Sequence, residues 1–256
     1  MISLQGKIAV VTGAAAGIGF ETAALFADLG AAVAIADIDL PGAQAAAKTL
    51  RSRGCTAIAA EVDIADERQV AEMARIVRGE LGLVDVLVNN AAATGMSALD
   101  KDVLQTDLAV WDLAFAVNVR GTFLVCRHIL PMMLDRGGVI INIASRKALA
   151  PQPHLHISYT VSKAAVCMLS RHIAASFGKR GVTCNVVAPG SIRTAKYQSH
   201  KSEKARAATL DRVLTRDIGE PVDVARAIAF LSSDAGRYIT GQIWSIDGGV
   251  LSYLDG

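Results

Sequence analysis

An α/β fold built on a doubly wound parallel sheet of about seven strands is predicted by three features of the sequence. Short apolar runs alternate with longer amphipathic stretches from one end of the chain to the other. Apolar residues make up 52% of the chain and aromatics only 5%, so the core must come from Ala, Val, Ile and Leu, as in buried parallel strands covered by Ala-rich helices. No Pro/Ser-rich linker, repeat or low-complexity segment breaks the alternation, which predicts one domain over residues 1–256.

The first strand is expected at residues 8–12, a β-branched run that ends at Gly13. An amphipathic helix over 17–29 follows, then a strand at 32–37 and a helix at 42–53. Strands at 57–62 and 86–89 flank a helix at 67–81. A long helical stretch over 108–134 leads to a strand at 139–144. A helix over 158–179, a strand at 183–187, a helix at 222–231 and a strand at 244–246 complete the chain. Right-handed crossovers between successive strands place helices on both faces of the sheet. Two regions depart from this rhythm. Residues 93–106 are polar and aperiodic and read as a loop at a strand end. Residues 191–219 are longer and charged, with Lys196, His200, Lys201, Lys204 and Arg206 close together, and read either as a solvated surface helix or as a lid or specificity element.

Composition also limits the partners. Lys+Arg total 26 against Asp+Glu 24, a net charge of +2, which leaves no basic stripe for nucleic acid. Cys55, Cys126, Cys167 and Cys184 form no C-x-x-C pair, so neither a metal site nor a disulfide framework is expected, and each reads as a small buried hydrophobe in a reducing compartment. The N-terminal residues lack the charged start and apolar core of a signal peptide. No apolar run approaches the roughly 20 residues that span a bilayer. A cytoplasmic protein with no membrane partner is the expectation.

Gly13, Gly17 and Gly19 lie in T-G-A-A-A-G-I-G, between an apolar strand and a helix. Glycines there permit a tight turn and let backbone N–H groups approach a pyrophosphate at a helix N-terminus. Asp37 ends the next strand, near the roughly 20-residue spacing at which a carboxylate binds a ribose 2′-OH. Such a carboxylate repels a 2′-phosphate, and no Lys or Arg stands beside it, so NAD is favoured over NADP; Asp39 is the alternative if the strand ends two residues later. A nucleoside-triphosphatase loop, G-x-x-x-x-G-K-[ST], is absent. Tyr159 and Lys163 are four residues apart, on one face of the helix expected there. An ammonium beside a phenol favours its ionised form and suits it to proton transfer, although a Lys can also merely extend past a ring on an amphipathic helix.

With these motifs the chain resembles the short-chain dehydrogenase/reductase family, in its single-domain, Rossmann-like branch. The resemblance covers nearly the whole chain and runs in the family's order: T-G-x-x-x-G-I-G at 12–19, Asp63 in V-D-I, N-N-A at 89–91, Asn118, Ser145, Y-x-x-x-K at 159–163 and P-G-x-I-x-T at 189–194. It implies a catalytic set of Asn118, Ser145, Tyr159 and Lys163. Tyr159 matches the general acid/base, and Lys163 the residue that lowers its pKa and holds the nicotinamide ribose. Ser145 matches the hydroxyl that polarises the reacting carbonyl or alcohol, and Asn118 the residue whose backbone holds a relay water. Gly13, Ala16, Gly17, Ile18, Gly19, Asp37, Ile38, Asp63, Ile64, Asn89, Ala91, Pro189, Gly190, Ile192 and Thr194 match cofactor-binding positions, with Tyr159 and Lys163 also touching the nicotinamide half. Plainer readings exist for single residues: Ser145 as a strand cap, Asn118 bonding its own helix backbone, Asp63 as a helix N-cap.

The resemblance implies an NAD-dependent alcohol dehydrogenase or ketone reductase and a homotetramer assembled partly through the helices at 108–134 and 158–179. A second reading is a 3-oxoacyl-thioester (acyl-carrier-protein) reductase, because Arg136 and Arg180 match basic positions of those members; most of them use NADP, which Asp37 disfavours. A catalytically silent NAD-binding regulator would be expected to lack one of the four catalytic groups, and a sugar-nucleotide epimerase would need a longer chain. Two departures stand out. Ala92 occupies a position usually held by glycine, and the loop from Ser145 to Tyr159 is one residue longer than in many members. That loop carries Arg146, Lys147, His154 and His156, which either face solvent or bind an anionic group of the substrate; a metal site from the two histidines lacks a third ligand. Residues 191–219 and 250–256 are the other segments expected to shape the pocket.

Overall fold

The computed structural model describes residues 2–94, 98–134, 136–151, 153–200 and 202–252. Expectations for Lys201, for the side chains of Lys196 and His200, and for residues 253–256 lie outside the described residues. Seven strands, β1 (Ile8–Thr12), β2 (Ala32–Asp37), β3 (Ala57–Glu61), β4 (Val86–Asn89), β5 (Gly138–Ile143), β6 (Val182–Pro189) and β7 (Ile243–Ile246), form one sheet in the order β3-β2-β1-β4-β5-β6-β7. Every pairing is parallel.

Alternation along the strands divides the core in two. Ala9 and Val11 of β1, Val33 and Ile35 of β2 and Ile141 and Ile143 of β5 face one side, where α1 (Gly17–Asp28), α2 (Leu40–Ser52) and α9 (Pro221–Ser232) cover them. Val10, Ala34, Ala36 and Ile140 face the other side. There the cover is α3 (Glu67–Glu80), the run from α4 (Leu108–Ala114) to α5 (Thr122–Ile129), and α6 (Ile157–Phe177). Small side chains permit close layers, and Phe26 is the one aromatic among the largest fully buried residues. The charged segment at 191–219 contains α7 (Ala195–His200) and α8 (Glu203–Leu210).

Element positions agree with the sequence reading to within one or two residues, and three differences have physical causes. The helix begins at Leu40 rather than Gly42 because Asp39 is its N-cap and accepts from the Gly42 N–H at 3.1 Å, with Pro41 in the first turn. Asp66, not Asp63, caps α3, accepting from the Arg68 N–H at 2.9 Å. The stretch read as one helix over 108–134 is broken by a π-helical turn at Phe115–Gly121 and ends in a 3₁₀ turn at Leu130–Met132. The 25-residue helical run Leu108–Met132 contains an 18-residue window of mean hydropathy 1.4 and is, by length and composition alone, long and apolar enough to cross a membrane, contrary to the expectation that no run approaches that length. In the fold Leu124, Val125 and Ile129 pack into the core against β4 and α3.

A polar network ties the sheet to its cover. Asn89 and Asn142 are register partners on β4 and β5, and the Asn89 amide donates to Asn142 Oδ1 at 2.8 Å. Asn142 donates in turn to Ser170 Oγ of α6 at 2.8 Å, and all three residues are buried. Replacing Asn142 with Ala should cost roughly 2–4 kcal/mol, because it orphans a buried donor and a buried acceptor as well as leaving a void. Urea unfolding should show a lower midpoint with an unchanged slope; an unaltered midpoint would refute the role of this network.

Candidate active site

The sheet order reverses direction between β1 and β4, the place where an open parallel sheet presents a crevice at the carboxyl ends of its strands. The Gly-rich turn lies on one side of this crevice. Gly13 has φ of +64°, and a Cβ there would come within 2.7 Å of Ala91 Cα. Gly19 has no more room, since a Cβ would collide with the Gly13 carbonyl oxygen. The N-cap of α1, Ala16, offers no side-chain acceptor, and the first turn carries no acidic residue. Gly17, Ile18 and Gly19 therefore present helix-start N–H groups to the crevice without a side-chain cap, which fits an anionic pyrophosphate. A Cβ on Gly17 would lie 3.6 Å from Thr194 Cγ2, so the segment from Pro189 to Thr194 closes the same groove. That segment is fixed by Gly190 N–H to the Ile246 carbonyl (2.9 Å) and by the bridge between Ile192 and Gly219.

Asp37 ends β2 beside this turn. Its Oδ2 accepts from the Ala15 N–H at 2.9 Å and its Oδ1 from the Asp39 N–H at 3.0 Å. The carboxylate thus holds the Gly-rich loop in place and keeps lone pairs for a diol. Ile38 beside it is 67% exposed. Asp63 accepts from the Ala65 N–H at 2.9 Å, while Ile64 is buried against Gly121 of the π-helical turn.

Ser145, Tyr159, Lys163 and Asn118 meet at the ends of β5 and α6. Ser145 follows β5, caps a 3₁₀ turn at Arg146–Ala148 by accepting from the Lys147 N–H (3.2 Å), and its hydroxyl is near enough to the Tyr159 side chain to act on the phenol. Lys163 is buried; its Nζ donates to the Ile143 carbonyl at 2.7 Å and stands 5.9 Å from the centre of the Tyr159 ring. Asn118, on the π-helical turn, accepts from the Ala93 N–H at 2.8 Å and donates to Ser162 Oγ at 2.9 Å. Its side chain bonds two other segments rather than its own helix. Its carbonyl accepts from Thr122 Oγ1 at 2.8 Å.

The electrostatics differ from the sequence reading. Burial pushes the Tyr159 phenol above its usual value, the nearby Ser145 hydroxyl offsets part of this, and Lys163 is not among the causes. The Lys163 ammonium is itself drawn down to about 8 by burial, against a smaller opposite effect of the Cys167 sulfur. Among the described residues no carboxylate compensates it. In this structure burial outweighs the proximity of the two side chains.

The profile of a family described as enoyl-(acyl carrier protein) reductase matches residues 13–251. A chain of Bradyrhizobium diazoefficiens described as a short-chain type dehydrogenase/reductase is 41% identical over 98% of this chain and 89% of its own. This chain belongs to the short-chain dehydrogenase/reductase family. The 3-oxoacyl-[acyl-carrier-protein] reductase of Thermotoga maritima is 35% identical, covering 97% of this chain and 99% of its own. A solved structure of 7α-hydroxysteroid dehydrogenase complexed with NADH and 7-oxoglycochenodeoxycholic acid has a TM-score of 0.91 at 34% identity, covering 99% of this chain and 98% of that one.

Several side chains sit elsewhere than the family resemblance implies. Asn89 turns into the sheet, where its amide donates to Asn142 Oδ1 and Cys126 Sγ. Its neighbour Asn90 holds the cofactor turn instead, donating to the carbonyls of Thr12 (3.0 Å) and Gly13 (2.8 Å). His154 is 84% exposed, with Nδ1 3.4 Å from Asp102 Oδ2. Among the described residues no group of His, Cys, Asp and Glu is arranged to hold a metal ion.

Asp100 went unnoticed in the sequence. The residue before α6, His156, has a left-handed backbone (φ +63°) and gives no side-chain cap. Asp100, 2% exposed, caps the helix from outside: Oδ1 accepts from the Ser158 N–H at 2.9 Å and Oδ2 from the Tyr159 N–H at 3.0 Å. The cap and the backbone of Tyr159 are thereby one unit.

Two outcomes follow from this short-chain dehydrogenase/reductase site. The folded chain releases the Lys163 proton near pH 8 and an unfolded lysine near 10.5, so the unfolded state binds more protons in that window. Stability attributable to Lys163 should rise with pH there by about 1 kcal/mol per unit; urea unfolding of the Lys163→Met variant across the same window should lack that rise. Asp100→Ala should lower stability by roughly 1–2 kcal/mol and kcat by about 10- to 100-fold through misplaced Tyr159, with NADH affinity retained. Unchanged kcat would show that the cap does not position the tyrosine.

Proposed function

We propose that the protein is an NAD(H)-dependent oxidoreductase that interconverts secondary alcohols and ketones. The observation that carries this reading is the convergence of Ser145, Tyr159 and the buried Lys163, whose Nζ stands 5.9 Å from the Tyr159 ring centre, beside a crevice whose glycine turn suits a dinucleotide. The solved relative that contains NADH supports the choice of cofactor, and so does Asp37, whose negative charge repels a 2′-phosphate. When bound, the nicotinamide supplies or accepts the hydride. Ser145 Oγ orients the substrate oxygen. Tyr159 gives that oxygen a proton in reduction and removes one in oxidation. Lys163 is anchored on the Ile143 carbonyl and would hold the nicotinamide ribose, and Asn118 keeps the loop after β4 joined to α6 through Ser162.

The second reading, reduction of a 3-oxoacyl thioester, draws on the Thermotoga maritima relative. Arg136, one of the two arginines invoked for it, is 3.5 Å from Asp85, just before the amino end of β4 and away from the crevice. This placement and Asp37 favour the first reading. A homotetramer is proposed as the assembly. It is supported by exposed apolar side chains on α4, α5 and α6, namely Leu108, Leu113, Phe123, Val161 and Met168. Four free cysteines suit a cytoplasmic location.

The test is nicotinamide absorbance with NADH and NADPH over a panel of ketones and alcohols. NADH should bind and be oxidised in preference to NADPH; a preference for NADPH would refute the role given to Asp37. Because burial keeps Tyr159 protonated at neutral pH, ketone reduction should be the faster direction there and alcohol oxidation should rise with pH. Tyr159→Phe should reduce kcat by at least about 10²- to 10⁴-fold while NADH fluorescence titration shows near-normal binding.

A further inference from the structure

Arg146 directly follows Ser145 and forms the first residue of the 3₁₀ turn that Ser145 caps. The turn is held from both sides: the Ala148 N–H donates to the Ser145 carbonyl at 3.0 Å, and the Leu149 and Ala150 N–H groups to the Arg146 carbonyl at 3.0 and 3.1 Å. Ala148 packs with Ala144, Cys167, Val186 and Ala188. The backbone under Arg146 is therefore fixed next to Ser145, and its side chain is half-buried.

Two charged groups are near this guanidinium. Asp247 attracts it and Arg212 repels it, while burial draws it below the usual arginine range. Neither group neutralises it. Among the described residues the Arg146 guanidinium has no hydrogen bond and no ion pair. Asp247 is buried and already committed, with Oδ1 accepting from the Gly249 N–H and Oδ2 from the Leu251 N–H, both at 3.0 Å. Arg212 is kept close by its chain neighbours. Leu214 N–H donates to the Gly248 carbonyl at 2.7 Å, and Val213, Leu214 and Thr215 fill the space above Gly248 and Gly249. The Arg146 guanidinium thus has near it a carboxylate whose oxygens serve a turn and a second guanidinium from another segment. A half-buried arginine left in surplus has a fork of donors suited to an oxyanion.

We infer that Arg146, assisted by Arg212, forms a subsite for an anionic group on the substrate, so that the preferred alcohol or ketone carries a carboxylate or phosphate within a side chain's reach of the reacting carbon. This rests on the oxidoreductase reading given above. Arg146 selects the substrate and takes no part in proton or hydride transfer, and its loss is expected in KM more than in kcat.

The test compares matched ketones in the NADH-loaded protein, by turnover and by calorimetric titration. One arm uses oxocarboxylates, linear and cyclic, against their carboxamides; the other uses dihydroxyacetone phosphate against dihydroxyacetone. The wild-type chain should favour the anionic member of at least one pair by roughly 10- to 100-fold. Arg146→Met should erase that preference and leave the neutral partner unchanged, and Arg146→Lys should restore part of it. The arm that responds identifies carboxylate or phosphate. If no pair discriminates by charge, or the preference survives Arg146→Met, the inference is overturned. Turnover of neutral ketones alone would overturn it while leaving the oxidoreductase reading intact. Charge-selective binding without turnover of any ketone would do the reverse.

Discussion

Most of this structure depends on how β4 is joined to β1. At that junction the parallel sheet changes direction and its neighbouring loops diverge, which opens the crevice. Thr12 and Asn90 hold the junction: Thr12 Oγ1 accepts from the N–H groups of Asn90 and Ala91, and the Asn90 amide reaches back to the Thr12 and Gly13 carbonyls. These bonds bring the backbones so close that Gly13 and Gly19 tolerate no Cβ. The crevice is therefore formed by main chain, and its helix-start N–H groups follow from that approach. Asp37 closes the arrangement from β2 by holding Ala15.

On the other side of the crevice, burial sets the chemistry more than the closeness of charges. The ammonium of Lys163 is given a backbone carbonyl rather than a carboxylate, and it loses affinity for its proton. Tyr159, buried beside Ser145, holds its own proton more tightly. Two groups that would attract in water are each shifted toward their neutral form here. A phenol of this kind is prepared to donate, and a dinucleotide bound in the crevice would change the surroundings of both groups.

Strands were legible in the sequence because buried parallel strands are continuous apolar runs, and β1, β2 and β4 lie where those runs fall. The Tyr159–Lys163 pair was legible because four residues fix a helical face. The π-helical turn at Phe115–Gly121 was not, since one widened turn leaves apolar periodicity almost unchanged. The different fates of Asn89 and Asn90 could have been read from strand alternation, which sends adjacent side chains to opposite faces. Asp100 gave no local signal at all: its partners on α6 are distant in sequence, and the need for an outside cap arises only from the left-handed backbone at His156.

That backbone bears on how the enzyme's substrate scope can be altered. His154 and His156 are the two non-glycine residues with positive φ among those described, at +57° and +63°. A residue in that conformation is constrained by its main chain whatever its imidazole touches, and β-branched side chains fit it worst. Random mutagenesis of the loop before Tyr159 would therefore recover Gly, Asn and Asp at these two positions for reasons of foldability. Such enrichment would resemble selection for ligand contacts without reporting one. Libraries that keep both positions fixed and vary the turn after Ser145 would separate the loop's shape from its recognition of substrate.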